Sequence, residues 1–297
     1  MSDNGEMSVG STGWWRERSD GMGVALSLEA RLVHREQSPF QLIEILEHAS
    51  FGHILVLDGY VQASQADEFI YHEMALHVPL LGRRRQDTSV LIVGGGDGGA
   101  LAEALKHDFV TSVTMVEIDQ RVIDLSAQYL GINGDYRDPR VELLVENAQG
   151  VVRSARERGE TFDVIVLDLT EPVGPSAVLF TEDFLTDLVA LVSPTGVIVD
   201  SDSIYLSLEG GDFLQEVSGE GENLVSVMRR TRLLPHLEVY RAKVPLYPGA
   251  DFGFFLYSRD GVSLSKPVAS YKGRHYDSDI HQAAFALPGW QRKWLGL

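Results

Sequence analysis

Five runs of β-branched and aliphatic residues recur through the middle of this chain, and helix-like stretches separate most of them. They are SVLIVGG (89–95), SVTMVEID (112–119), RVELLVEN (140–147), FDVIVLDL (162–169) and GVIVDSD (196–202). A strand that is apolar on both faces must be covered on both faces, and the intervening helices supply that cover. The pattern therefore predicts an α/β fold with a mostly parallel sheet and helices on either side. LEVYRAKVP (237–245) and GFFLYSR (253–259) are placed to complete the sheet. Upstream, VALSLEARLVH (24–34), FQLIEILEH (40–48), GHILVLDG (52–59) and YVQAS (60–64) are short strand-like runs broken by turn residues, and predict a small antiparallel unit. ADEFIYHEMALHVPLL (66–81) has helical spacing and ends near Gly82.

The domain organisation expected is a small polar leader over residues 1–13, disordered by composition, then a β domain with its linking helix over 14–82. The sheet-bearing domain fills 83–297, interrupted by a Gly- and Glu-rich stretch at 208–223 that has the composition of an inserted loop.

The chain has no cysteine among its 297 residues. Disulfides, thiolate catalysis and zinc–thiolate sites are thereby excluded, and a cytoplasmic setting is expected. Acidic residues outnumber basic ones to give a formal charge of −18. Such a surface repels nucleic acid and anionic membranes and suits cationic partners. No apolar run approaches the length of a membrane span, and no signal peptide is evident.

Gly94, Gly96 and Gly99 satisfy G-x-G-x-x-G directly after the first run, and Glu117 ends the next one, where an acid accepts from ribose hydroxyls. A dinucleotide would press its pyrophosphate into this turn. Asp97 stands there instead, so a nucleoside without phosphates fits better. Ordinary S-adenosylmethionine brings a carboxylate close to such a loop, whereas its decarboxylated form brings only a cationic amine, which suits Asp97. A helix N-cap is the alternative role for this aspartate. Asp168 ends the fourth run, where ligands bind in open α/β sheets; Glu171 follows, with Pro172, Gly174 and Pro175 fixing the path of the chain. HEMALH (72–77) is not a metal motif. Its histidines are five apart, about 140° round a helix, so His77 is expected to pack or cap. Trp14 and Trp15 are expected to pack rather than to close over a ligand.

Several segments together resemble the spermidine synthase (polyamine aminopropyltransferase) family over nearly the whole chain. They are GWWRE (13–17), SPFQLIEI (38–45), LVLDGYVQASQADEFIYHEMALHVPL (55–80), VLIVGGGDGG (90–99), VEID (116–119), DVIVLDLTEPVGP (163–175), PLYPGADFGF (245–254) and HYDSDIHQAAFALP (275–288). The resemblance implies a small N-terminal β domain followed by a methyltransferase-like Rossmann domain. It implies transfer of an aminopropyl group from decarboxylated S-adenosylmethionine to an amine, putrescine by default, with release of 5′-methylthioadenosine. It also implies a homodimer or homotetramer, and no metal or cofactor beyond the co-substrate.

By the same resemblance Gln41, Gly94, Gly96, Glu117, Asn147 and Ala148 should hold the adenosine, Pro175 should touch it, and Asp97 should bind the aminopropyl ammonium. Asp168 should accept the proton, aided by Tyr71. His72, Glu171 and Tyr247 should line the acceptor side together with Asp97 and Asp168. The residue types suit the chemistry. A primary amine with a pKa near 10 is neutral in only about one molecule per thousand at pH 7, so a carboxylate and a phenol beside the nitrogen can orient it and take its proton.

Three departures from the family pattern stand out. Asn147 replaces the aspartate that usually accepts from the adenine amine, although its carbonyl can still accept. The D-S/T-x-D element reads Asp168-Leu169-Thr170-Glu171, which leans toward the thermospermine-type branch, and Asp251 replaces a typical glutamine. The donor is thus better determined than the acceptor, with longer polyamines, agmatine or a specialised amine as other acceptors. S-adenosylmethionine-dependent chemistry such as methyl transfer, and a non-catalytic binding role, are the alternatives of other classes.

Overall fold

The short strand-like runs at the N-terminal end pair into one antiparallel sheet. In the computed structural model, which describes residues 7–18, 26–132, 134–170, 174–203, 224–247 and 251–297, β1 (Thr12–Arg16), β2 (Ser27–Gln37), β3 (Leu42–His48), β4 (Gly52–Leu57) and β5 (Tyr60–Ser64) lie side by side in chain order. Side chains alternate across a strand, so this sheet has two apolar faces. Leu32, Leu46, Ile54 and Val56 pack with Trp15 and Leu246 on one of them. Ile43, Ile45, Leu55 and Leu57 pack on the other against Val122, Leu125, Leu130 and Ile132. Each such side chain contributes about 1.5–3 kcal/mol when fully buried, so the second face seats the small sheet firmly on its larger neighbour. Trp15 is core, and Trp14 on the edge strand is 71% exposed.

The leader expected through residue 13 is shorter in the structure. Gly10 donates to the Leu32 carbonyl at 2.7 Å, and Thr12 and Gly13 pair with β2. The small and polar residues before Trp14 carry no apolar alternation, so composition alone did not reveal their pairing.

The larger unit comprises α1 (Glu68–Gly82), β6 (Thr88–Gly94), α2 (Gly99–Leu105), β7 (Val110–Glu117), α3 (Gln120–Leu125), β8 (Val141–Val145), α4 (Ala148–Arg158), β9 (Phe162–Asp168), α5 (Glu182–Ala190), β10 (Val192–Ser203), α6 (Leu224–Thr231), β11 (His236–Ala242), β12 (Phe252–Ser258), α7 (Ser278–Ala284) and α8 (Gly289–Leu295). Its sheet runs β11-β12-β10-β9-β6-β7-β8. The five strands from β10 to β8 are parallel, as the five apolar runs predict, and β12 enters antiparallel between β10 and β11. This is the methyltransferase-like Rossmann arrangement. Helices α1 and α2 bury one face of the sheet, and α4, α5 and α6 bury the other.

Helix α1 was expected to link the N-terminal unit, but every residue from Tyr71 to Gly82 is buried, and its core partners include Ile92, Val164, Val199 and Tyr240 of the seven-stranded sheet. Even Glu73 and His77 are buried with partners from the larger unit, so α1 belongs to the larger layer. The 208–223 stretch lies outside the described residues. Among the described residues no helix is long and apolar enough to cross a membrane.

Candidate active site

The strand order reverses between β6 and β9, and open α/β sheets bind ligands at that switch point, beyond the carboxyl ends of the strands. Register places Gly94 opposite Asp168 there. An open cleft lies above this point. Along its floor, Asp168 ends β9, the Gly94–Asp97 turn follows β6, Glu117 ends β7, and Asn147 follows β8. These are four neighbouring strands, so the row spans about 14 Å at normal strand spacing. Phe40, Gln41, Leu55, Leu57 and Gln62 of the small sheet and its loops form the facing wall.

The turn needs its glycines. Gly94 has φ +85°, and a Cβ there would stand 2.1 Å from the Asp168 carbonyl oxygen. A Cβ at Gly99 would meet the His72 ring at 2.2 Å. That close approach brings His72 to Asp97. His72 Nδ1 pairs with Glu68 at 2.8 Å, one helical turn earlier, and Nε2 lies 3.2 Å from Asp97 Oδ2. Burial opposes the imidazolium, but the Asp97 charge and the Glu68 hydrogen bond outweigh it and push the His72 pKa well above its ordinary value. The other oxygen of Asp97 accepts the Gly99 N–H at 2.8 Å. Burial would raise Asp97, yet the His72 charge and the Gly99 N–H win and hold it below the usual carboxylate range. Asp97 thus braces the turn from one residue before the cap of α2, which is Gly98 and not Asp97 as the N-cap alternative supposed, and still presents a charge to the cleft.

Tyr71, on the same helix, donates to Asp168 Oδ1 at 2.8 Å, and its hydroxyl also pairs with Ser201 Oγ at 2.9 Å. Asp168 Oδ2 is buried and has no hydrogen-bond partner among the described residues. Burial, then the Asp97 charge, raise the Asp168 pKa to about 6 against the opposing pull of His72 and Tyr71. His72 Nε2 is likewise buried without an aligned acceptor. Ligand atoms of His72, Asp97 and Asp168 all lie within 4.8 Å of one another. Two carboxylates beside an imidazole suit a cationic or hydrogen-bonding organic group.

Glu117 is buried, and its Oε1 accepts the Asp119 N–H at 2.8 Å. Burial is the main cause that raises its pKa to about 7. Asp119 caps α3 and also receives Ser38 Oγ at 2.6 Å and Gln41 Nε2 at 3.1 Å. With its amide nitrogen so engaged, Gln41 turns its carbonyl, an acceptor, to the cleft. Asn147 caps α4, its Oδ1 accepting the Gln149 N–H at 2.9 Å, and Ala148 lies buried beside it.

The structure brings Gln41, Gly94, Gly96, Asp97, Glu117, Asn147, Ala148 and Asp168 together on one cleft. Tyr71, His72 and Tyr247 are not on its described lining; the first two stand behind Asp168 and Asp97. Tyr247 donates to the Gln62 carbonyl at 2.6 Å, with its ring beside Tyr71. Pro175 falls in the 3-10 turn Gly174–Phe180, and Glu171 lies outside the described residues. Asp251 is tied to Arg241 and does not line the described cleft. His77 pairs with His107 at 3.0 Å, not with His72. Sequence reasoning missed Glu68, Asp119 and Ser201. The four-residue spacing of Glu68 and His72 on one helix was the available signal for the first.

Comparison with known proteins accounts for this arrangement. The family described as "Spermine/spermidine synthase domain" matches residues 68–265. The chain belongs to the spermidine synthase family. A second family description, "Spermidine synthase tetramerisation domain", matches residues 13–65, the small sheet. Among relatives, the polyamine aminopropyltransferase of Bacillus subtilis is 35% identical, over 93% of this chain and 96% of its own. The spermidine synthase of Dictyostelium discoideum is 35% identical, over 96% and 98%. A crystal structure of spermidine synthase in complex with the transition state analogue AdoDATO superposes with TM-score 0.80 at 31% identity, covering 96% of this chain and 95% of that one. The Thermotoga maritima spermidine synthase gives 0.78 at 30% identity, over 95% and 94%.

Proposed function

We propose that this member of the family transfers the aminopropyl group of decarboxylated S-adenosylmethionine to an amine acceptor, putrescine by default to give spermidine, and releases 5′-methylthioadenosine. The observation that carries the proposal is the placement of Asp97 and Asp168 beside His72, two half-buried carboxylates at the end of a nucleoside-shaped row. The adenosine lies along β7 and β8, its ribose hydroxyls donating to Glu117 and to the Gln41 carbonyl, its base against Ala148 and Asn147. Gly94 and Gly96 let the chain pass close beneath it, and Pro175 closes over the nucleoside. The aminopropyl ammonium meets Asp97.

The acceptor amine then approaches Asp168, whose free Oδ2 takes its proton while Tyr71 holds Oδ1. The neutral nitrogen attacks the methylene next to the sulfonium. The carbon–sulfur bond breaks, and the electron pair leaves on sulfur as a neutral thioether. His72, Glu171 and Tyr247 shape the acceptor side. No metal or further cofactor takes part in this sequence. We divide the chain near residue 66, with the small sheet before it and the catalytic unit after it. On this proposal the enzyme is cytoplasmic, and the small sheet mediates a homodimer or homotetramer.

The test is incubation with decarboxylated or ordinary S-adenosylmethionine and a panel of putrescine, spermidine and agmatine, read by mass spectrometry. Methylthioadenosine together with an aminopropylated amine is the expected outcome. S-adenosylhomocysteine as the only nucleoside product would replace aminopropyl transfer by methyl transfer.

A further inference from the structure

We propose that Asn147 presents a hydrogen-bond donor to the base of the bound nucleoside and thereby relaxes the cleft's preference for a 6-amino purine toward 6-oxo purines. This rests on the nucleoside placement proposed above. Asn147 stands at the β8 end of the row, one residue before α4, and its backbone is extended, with φ −69° and ψ 118°. Its Oδ1 accepts the Gln149 N–H at 2.9 Å. A backbone N–H can be met only by the oxygen of the amide, because the nitrogen is itself a donor. The cap therefore fixes the orientation of the side chain. The group left over from the cap is Nδ2 with its two N–H groups, on a residue that lines the cleft.

An aspartate in the same turn would cap equally well and would leave a second, anionic oxygen for the base. The contrast matters because the two groups select opposite edges. The exocyclic amine of adenine is a donor, so an outward carboxylate oxygen attracts it and an outward amide nitrogen does not. The carbonyl of a 6-oxo purine is an acceptor, so the preference reverses. Ala148, Val116, Ile118 and Leu179 add apolar surface that any purine can cover. Ribose recognition through Glu117 and Gln41 is indifferent to the base.

The experiment compares 5′-methylthioadenosine with 5′-methylthioinosine by calorimetry on the intact protein, as wild type, Asn147→Asp and Asn147→Ser. All three residues cap a helix N-terminus, so the fold at α4 is retained. In the wild type the two nucleosides should bind within about tenfold of each other, or with the inosine form ahead. Asn147→Asp should move the ratio toward the adenosine form by about tenfold or more, which corresponds to about 1.4 kcal/mol. Asn147→Ser, with no outward amide, should fall between them. A wild type that prefers the adenosine form a hundredfold would overturn the proposal, as would an aspartate variant whose ratio moves by less than about threefold. If the adenosine form binds but the ratio does not move, the proposed function stands and only the role of Asn147 falls. If neither nucleoside binds any variant, the nucleoside placement fails and this inference fails with it.

Discussion

Replacing Asp168 by asparagine tests the proposed chemistry most directly, because the structure supplies its magnitude. An acceptor amine has a pKa of about 10. A carboxyl at the ordinary 3.8 would be a poor proton acceptor for it, with a gap of about six. Burial and the neighbouring Asp97 lift Asp168 to about 6, which narrows the gap by about two. At about 1.4 kcal/mol for each pKa step, this recovers about 3 kcal/mol, or roughly a hundredfold in the population of neutral amine bound beside a protonated acid. The asparagine of Asp168→Asn would keep the shape and could still accept from Tyr71, but it could take no proton. Turnover should fall by about a hundredfold or more.

Donor affinity should change less than turnover, since Glu117, Gln41 and Asp97 keep their contacts and only the Asp168 charge, within 4.8 Å of Asp97, is lost. The pH profile adds a second readout. The acid must be ionised to receive a proton, so wild-type turnover at saturating donor should fall as pH drops through about 6, or somewhat lower once the donor ammonium sits nearby. Asp168→Asn should lose that limb and retain only the rise set by the amine. Stopped assays of methylthioadenosine release from weakly acidic to weakly alkaline pH, with calorimetry for donor binding, give both quantities. Turnover within a few-fold of wild type with the acidic limb intact would remove Asp168 from the mechanism.

Asp97→Asn should weaken decarboxylated donor by about 1.5–3 kcal/mol, as for loss of a charged hydrogen bond, while the asparagine still braces Gly99; equal losses for ordinary S-adenosylmethionine by calorimetry would contradict the ammonium contact. Glu117, raised to about 7 by burial, accepts from a ribose more strongly when ionised, so donor affinity should climb with pH, by up to about tenfold between pH 6 and pH 8. Glu117→Gln should bind weakly at both pH values, and a flat wild-type profile would count against ribose binding there. Glu73 is wholly buried and its carboxylate receives the N–H groups of Arg274, His275 and Tyr276 at 2.7–2.8 Å. Glu73→Gln turns a donor toward one of them and should lower stability by about 2–3 kcal/mol, seen as a lower urea midpoint at unchanged slope; an unmoved midpoint would refute the clamp.

The parallel sheet was legible because its strands are buried on both faces and so read as unbroken aliphatic runs. Asp97, Glu117 and Asp168 were legible because each stands where such a run stops, at the carboxyl edge that binds ligands. Helix α1 was legible as a helix but not as part of the larger unit. Period tells that a segment is helical, not which sheet covers it, and the ionisable residues Glu73 and His77 gave no sign that they would be buried. Asp119 went unseen because it looked like the last residue of VEID, whereas it folds back as a cap that reaches Ser38 and Gln41, about 80 positions earlier, at the edge of the other sheet. Contacts at that separation leave no local periodicity. Ser201 is a polar residue ending a buried strand, and nothing in its neighbours shows that Tyr71, 130 positions earlier, comes to meet it.

The acid in the glycine turn follows from the same geometry. In a phosphate-binding turn, N–H groups at the helix start are offered to the ligand. Here the Gly99 N–H is already taken by Asp97 Oδ1, so the protein supplies the anion itself and leaves little for a pyrophosphate to gain. The charge of that anion is balanced from behind by His72, which is in turn steadied by Glu68. Asp97, Glu68 and an ionised Asp168 together outnumber one imidazolium, so the cluster is short of positive charge. That shortage adds to burial in raising Asp168. An ammonium arriving beside Asp97 would relieve it, ionise Asp168 more fully, and so prepare the base at the moment the donor is in place. A carboxylate arriving in the same position would deepen the shortage, which is why a decarboxylated donor suits this turn and an intact amino acid does not.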